Sequence, residues 1–206
     1  GNTTATEQKK DQPMFQPYPS DQTFYGYFND FMTYNSGDWT VTTTEAGTGS
    51  ASEAVTSSAG GALLLTNAAG DNDLDFLQLK GEAFRLSASK KAYFSARFKV
   101  SDATQSDFVM GLHITDTSPL DVTDGIFFIS ADGAATLDFQ VEKDNTATTT
   151  SSVATMANDT FITTSWFIDP DRDALYYSIN NGTPLKSVAT NLPNDEDLTI
   201  SFGIQN

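Results

Sequence analysis

Residues 92–100 read Ala92-Tyr93-Phe94-Ser95-Ala96-Arg97-Phe98-Lys99-Val100, and their alternation decides the fold. Successive side chains of a strand point to opposite sides. Tyr93, Ser95, Arg97 and Lys99 therefore share one face, and Phe94, Ala96, Phe98 and Val100 share the other. A segment apolar on one side and polar on the other is a half-buried strand of a sheet that covers a core. Phe94, Phe98 and Val100 are expected in that core.

The same period continues in both directions. Phe108, Met110 and Leu112 alternate with Val109, Gly111 and His113, and a glycine inside a strand permits a close approach of neighbouring atoms. Ile126, Phe127, Phe128 and Ile129 form an unbroken apolar run, which predicts a central strand covered on both sides. Ala131-Asp132-Gly133 and Asn180-Asn181-Gly182 place residues tolerant of positive φ between such runs, so both joins are expected to be antiparallel hairpins.

Strands are predicted at Trp39–Thr44, Ala62–Asn67, Asp75–Leu79, Ala83–Leu86, Ala92–Val100, Phe108–Ile114, Gly125–Ser130, Ala135–Glu142, Thr148–Ala154, Thr160–Ile168, Ala174–Ile179, Pro184–Ser187 and Leu198–Ile204. Many short strands with no long helical window predict an all-β sandwich or barrel. The Ser- and Ala-rich stretch Gly47–Gly61 has little to bury and reads as a long exposed loop.

The domain is expected over residues 35–206, preceded by a tail and arm over residues 1–34. The first dozen residues are polar and aperiodic, but Phe15, Tyr18, Phe24, Tyr25, Tyr27, Phe28, Phe31 and Tyr34 crowd the next twenty, with Pro13, Pro17 and Pro19 enforcing extended geometry. So many rings need burial. Either the arm wraps its own sandwich, or Phe15, Tyr18, Phe24, Tyr25 and Tyr27 anchor it in a neighbouring subunit, where rings supply contact area at low entropy cost.

Composition narrows the chemistry. The net charge is −16, from 11 basic and 27 acidic residues, which repels phosphate backbones and anionic lipid and argues against nucleic acid or membrane as partner. There is no cysteine, so disulfides, thiolate nucleophiles and cysteine-ligated metals are excluded. The opening GNTTATEQKKDQ lacks the apolar core of a secretory signal.

His113 is the single histidine, and on a strand face it is expected to be structural; no G-x-S-x-G pattern accompanies it. Asp73–Gln78 and Asp138–Glu142 are the candidate carboxylate pairs, because glycoside hydrolysis needs two such groups. Gln78 cannot ionise, and Ala135 and Thr136 stand where a first carboxylate would be wanted, so both read as polar strand faces. Asp169-Pro170-Asp171-Arg172-Asp173 spaces three carboxylates at alternate positions like the start of a calcium loop, but Ala174 and Asn180 replace the glycine and glutamate such a loop requires. No cofactor or metal is expected. Six of the eleven basic residues, Lys80, Arg85, Lys90, Lys91, Arg97 and Lys99, fall in one twenty-residue window, which could guide docking on an acidic surface.

The runs FNDFMTYNSGDWTVT, GGALLLTNAAGDNDLDFLQLKGEAFRL, AYFSARFKVSDATQSDFVMGLHITDTSPLDVTDGIFF and NLPNDEDLTISFGIQN resemble small virion structural proteins of tailed phages over residues 28–206. FSARFKV through GL to DGIFF, followed by SINNGTP, resembles the concanavalin A-like lectin and laminin-G superfamily. The resemblance implies an antiparallel jelly-roll sandwich on the outer capsid surface. Its implied role is a non-enzymatic decoration or cement protein that binds the major capsid protein, often as a homotrimer. It carries over no catalytic residue. The alternative is a glycan-binding adhesin using exposed rings such as Tyr93 or Tyr176, and a glycoside hydrolase ranks third.

Overall fold

The computed structural model describes residues 26–87, 90–131, 133–169 and 174–206. In chain order its strands are β1 (Trp39–Thr44), β2 (Ser52–Val55), β3 (Leu63–Thr66), β4 (Leu74–Leu79), β5 (Phe84–Arg85), β6 (Ala92–Phe98), β7 (Asp107–His113), β8 (Gly125–Ser130), β9 (Thr136–Lys143), β10 (Thr146–Thr155), β11 (Ile162–Asp169), β12 (Ala174–Ile179), β13 (Leu185–Ser187) and β14 (Asp197–Gln205). An eight-stranded sheet runs β1-β4-β14-β7-β8-β9-β10, with β5 also on β14. A four-stranded sheet runs β13-β12-β11-β6, and β2 and β3 form a separate hairpin. The strand pairs are antiparallel.

Each of the thirteen expected strands is present, with ends shifted by a residue or two. β2 was missed. It lies inside the stretch expected to be an exposed loop and pairs with β3 from Ser52 opposite Thr66 to Val55 opposite Leu63. The reason is coverage. Four strands cannot shield eight, and the hairpin supplies Leu63 and Leu65 to pack with Trp39, Leu77 and Phe202 over the uncovered end. Phe31 and Tyr34 of the preceding segment join the same cluster.

The main core lies between the sheets. Leu112, Ile126, Phe128, Phe139 and Val141 from the larger sheet meet Trp166, Ile168 and Leu175 from the smaller one. Burying each large apolar side chain contributes about 1.5–3 kcal/mol. A second cluster joins Phe98 to Phe108, whose rings stack with centroids 3.9 Å apart. Phe94 is half-buried against Trp166 and Val100 is buried, as the alternation of residues 92–100 requires.

The outer side of the larger sheet is also partly covered. The segment after β7 folds back so that Leu120 and Val122 pack on Leu74, Phe76, Val109 and Phe127. This explains the unbroken apolar run of β8: Ile126 and Phe128 enter the inter-sheet core, while Phe127 meets the overlying segment. Gly111 makes the close approach anticipated for it, since a Cβ there would lie 2.5 Å from the Phe127 Cα.

Two further devices fix the ends of the sheet. Asn180 and Asn181 take the positive φ values, 52° and 55°, that the turn after β12 was expected to need. Asp73, fully buried, accepts backbone N–H bonds from Ala46, Gly47 and Gly70, tying two loops to the start of β4.

Candidate functional site

The outer face of the four-stranded sheet follows directly from register. Phe167 on β11 stands opposite Tyr93 on β6 and opposite Tyr176 on β12, and Lys186 on β13 extends the row past Tyr176. Paired residues of antiparallel strands lie on the same face. Their sequence neighbours Phe94, Trp166 and Tyr177 point into the core, so this row points to solvent. Tyr93 is 68% exposed, while Phe167 and Tyr176 are half-buried. With strands about 4.8 Å apart, the three rings span roughly 10 Å.

The neighbouring row is polar. Ser95, Ser165 and Ser178 are mutually opposite across the same three strands. Beyond it Arg97 stands opposite Thr163 and lays its guanidinium over the Phe161 ring, 3.7 Å from the centroid. Aromatic rings offer a flat apolar surface; beside them Ser95 is exposed, Ser165 is buried, and Ser178 Oγ donates to the Gly182 carbonyl at 2.8 Å and keeps its oxygen free to accept. Tyr93 and Tyr176 were anticipated as platform residues, whereas Phe167 and Lys186 were not. The continuous apolar run around Trp166 hides which way Phe167 points.

The outer face of the eight-stranded sheet holds Gln78, Asp138 and Glu142, whereas Asp75 faces inward beside Leu77. Gln78 is buried and saturated: its amide nitrogen donates to the Ile114 carbonyl at 2.9 Å and to Ser201 Oγ at 3.0 Å, and its oxygen accepts from Asp116 N–H at 2.9 Å. Gln78 thus clamps the covering segment to β4. His113 beside it is fully buried, stacks on Phe76 and meets Phe127 edge-on. Its Nδ1 lies 3.1 Å from the Ile114 carbonyl, to which it donates. Burial lowers its pKa to about 4, so the ring is neutral and has a packing role, as its position on a strand face suggested.

β9 presents the polar face that its sequence specifies. Asp138, Gln140 and Glu142 alternate with the core residues Leu137, Phe139 and Val141, so all three share the outer face. Gln140 donates to Glu142 Oε2 at 2.7 Å, and Asp138 accepts from the Ser152 N–H at 2.7 Å. Glu142 has its pKa raised by burial first, opposed by the Gln140 hydrogen bond and reinforced by Asp121 and Asp124. One strand face therefore carries a carboxyl whose pKa is raised and a second acid four residues away. At the strand rise their Cα atoms are about 13 Å apart, with Gln140 between them. On the same outer surface a cavity of about 230 Å³ opens between Thr44, Leu74, Gln205 and the covering residues Thr117, Pro119 and Asp121.

Phe15, Tyr18, Phe24 and Tyr25 of the arm lie outside the described residues. Tyr27 is 41% exposed and meets Trp39 edge-on at 6.3 Å. Of the Asp169–Asp173 stretch, positions 170–173 also lie outside the described residues, and Asp169 is buried with its carboxylate 3.2 Å from Lys91 Nζ. The expected basic cluster is divided: Lys91, Arg97 and Lys99 flank the aromatic row, while Arg85 pairs with Asp197 at the far sheet and Lys80 donates to the Gly37 carbonyl.

No family model matches the chain, and no curated protein matches it in sequence. Solved structures do. The potassium-bound Emp46p carbohydrate recognition domain matches with TM-score 0.55 at 12% identity, covering 86% of this chain and 87% of that one. A Bacillus licheniformis β-glucanase matches with TM-score 0.58 at 12% identity, over 86% and 83%. The fold is the concanavalin A-like jelly roll. An endo-1,3-β-glucanase from Streptomyces sioyaensis matches with TM-score 0.57 at 13% identity, over 92% and 87%.

These likenesses establish the concanavalin A-like fold and nothing finer. They also correct the expectation of a non-enzymatic protein. Glucanases are built on this same sandwich, so the fold gives no ground for excluding hydrolysis. Asp138 and Glu142, one of the two segments considered as a carboxylate pair, do share one face, with Gln140 between them.

Proposed function

We propose that this chain binds carbohydrate on the outer face of the four-stranded sheet. The observation that carries the reading is the cross-strand row Tyr93–Phe167–Tyr176 beside the row Ser95–Ser165–Ser178. A sugar ring has apolar C–H faces and hydroxyl edges, and it is held by a ring surface next to polar groups. Strand backbones fix the row, so little ordering entropy opposes binding. The carbohydrate recognition domain among the structural neighbours supports the reading as a precedent on this fold. A glycan array followed by titration of the best binder tests it. Tyr93→Ala together with Tyr176→Ala should abolish retention, and unaltered retention would refute the site.

A second reading is hydrolysis on the outer face of β9. What favours it is Glu142, a carboxyl biased toward its protonated form, on the same face as Asp138. A protonated carboxyl can donate to a glycosidic oxygen while a carboxylate acts as base or nucleophile. Release of reducing ends from β-glucans, lost in Glu142→Gln, is the expected result if this reading holds. A turnover identical in Glu142→Gln removes it.

The sequence resemblance supplies a setting, the outer surface of a phage capsid with the major capsid protein as partner and a trimeric assembly. It rests on the resemblance read from residues 28–206 alone, since no curated protein matches the chain in sequence. Copies of the chain co-sedimenting with purified particles would support this setting, and its absence from particles would end it.

A further inference from the structure

Resting on the carbohydrate reading, we infer that the ligand of this face is an extended anionic polysaccharide, carboxylated or sulfated, with its negative groups taken by Arg97 and Lys186. The chain carries −16 overall, yet the outer face of the four-stranded sheet concentrates cations. Lys91, Arg97 and Lys99 project from the β6 side and Lys186 from the β13 side. Lys91 is paired with Asp169 and Lys99 with Asp159. Among the described residues no acid pairs with Arg97 or Lys186. Both are exposed.

Arg97 is also held in place. Its guanidinium rests on the Phe161 ring at 3.7 Å, which orients the planar donor fork without consuming its N–H groups. Such a fork matches the two oxygens of a carboxylate or sulfate. Lys186 is a point charge at the open end of the aromatic row.

The spacing sets the size of the ligand. Lys186 lies three strands from β6, about 14 Å across the sheet, and Arg97 lies four residues along β6 from Tyr93, about 13 Å. The diagonal is therefore roughly 19 Å between Cα atoms. A single sugar ring cannot touch both, whereas a chain of several residues crosses the rings and reaches a cation at each end. The chain's overall negative charge does not prevent this, because charges beyond about 10 Å are screened at ordinary ionic strength.

Titration calorimetry with matched polymers tests the inference. Dextran sulfate is compared with dextran, and polygalacturonate with its methyl ester. The charged member of at least one pair should bind about tenfold more tightly than its neutral partner, and added salt should erase the difference. Which pair shows it identifies sulfate or carboxylate as the recognised group. Arg97→Ala with Lys186→Ala should abolish the preference while the fold is kept, the melting temperature falling only by the small amount that loss of the Arg97–Phe161 contact costs.

Equal binding of charged and neutral members overturns the anionic assignment and leaves the carbohydrate reading standing. A preference that persists in the double variant also overturns it. A single-stranded oligonucleotide bound as tightly as the polysaccharides would overturn it too, by showing a general polyanion site. Failure of every polymer, charged or neutral, to bind refutes the carbohydrate reading itself.

Discussion

Asp75 on β4 and Glu53 on β2 bring two carboxyl groups together where the β2–β3 hairpin closes over the eight-stranded sheet. Asp75 is fully buried, and its pKa is pushed up to about 7, by burial first and then by the charge of Glu53. Glu53 also accepts from the Tyr34 hydroxyl at 3.4 Å, which ties the hairpin down over the Asp75 carboxyl.

The folded pKa of Asp75 lies above its unfolded value of 3.8. The stabilisation is thus complete below about pH 4 and is lost as pH rises through about 7. Asp75→Asn removes the titration and should be the more stable of the two at pH 8, by an amount that solvent screening holds well below the full shift, with little difference at pH 4. Denaturant melts at the two pH values decide the matter. A variant no more stable than the parent at pH 8 contradicts the assignment.

His113 acts in the opposite sense. Its folded pKa of about 4 lies below the unfolded 6.5, so its contribution is complete above pH 6.5 and is lost as pH falls through about 4. In the parent the two groups oppose each other between pH 4 and 6.5. Stability in Asp75→Asn should therefore climb with pH across that window, and the added substitution His113→Gln should flatten the climb. A slope unchanged by the second substitution would show that another group titrates there.

Asp73 gathers three backbone donors from two loops. Those bonds, the Ala46 N–H foremost, lower its pKa. Asp73→Ala removes the shared acceptor of the three N–H groups and should lower the melting temperature. Hydrogen exchange at Ala46, Gly47 and Gly70 should accelerate together in this variant. Protection retained at any of the three would mean the carboxylate is not its partner.

Gly111→Ala tests the close approach of β7 and β8. The added Cβ would lie 2.5 Å from both the Phe127 Cα and Cβ, and neither can retreat without moving the strand. Destabilisation of about 2–3 kcal/mol is expected. Val109→Ala two residues away instead removes volume at the buried contact with Phe127 and should cost less. A Gly111→Ala melt equal to that of the parent would disprove the steric argument.

The strands were legible because alternation is local. Phe94, Phe98 and Val100 occupy the core as residues 92–100 specify, and the asparagine pair after β12 takes the backbone its chemistry favours. β2 was not legible. Ser52, Glu53, Ala54 and Val55 have weak strand character, and they extend because an uncovered end of the larger sheet needs a lid. Asp138, Gln140 and Glu142 share the outward face that their alternation with Leu137, Phe139 and Val141 specifies, whereas the burial of Glu142 and its nearness to Asp121 and Asp124 come from the fold.

Sequence by itself determined that the chain is built of amphipathic antiparallel strands, because the two-residue period of side-chain direction is carried by neighbouring residues. It also determined which rings each strand offers to solvent in the clearest cases, Tyr93 above all. Tertiary structure alone decided that Tyr93, Phe167 and Tyr176 form one row and that Arg97 and Lys186 bracket it. Those residues are brought together by strand order and register, which depend on how the whole core closes and not on any local pattern.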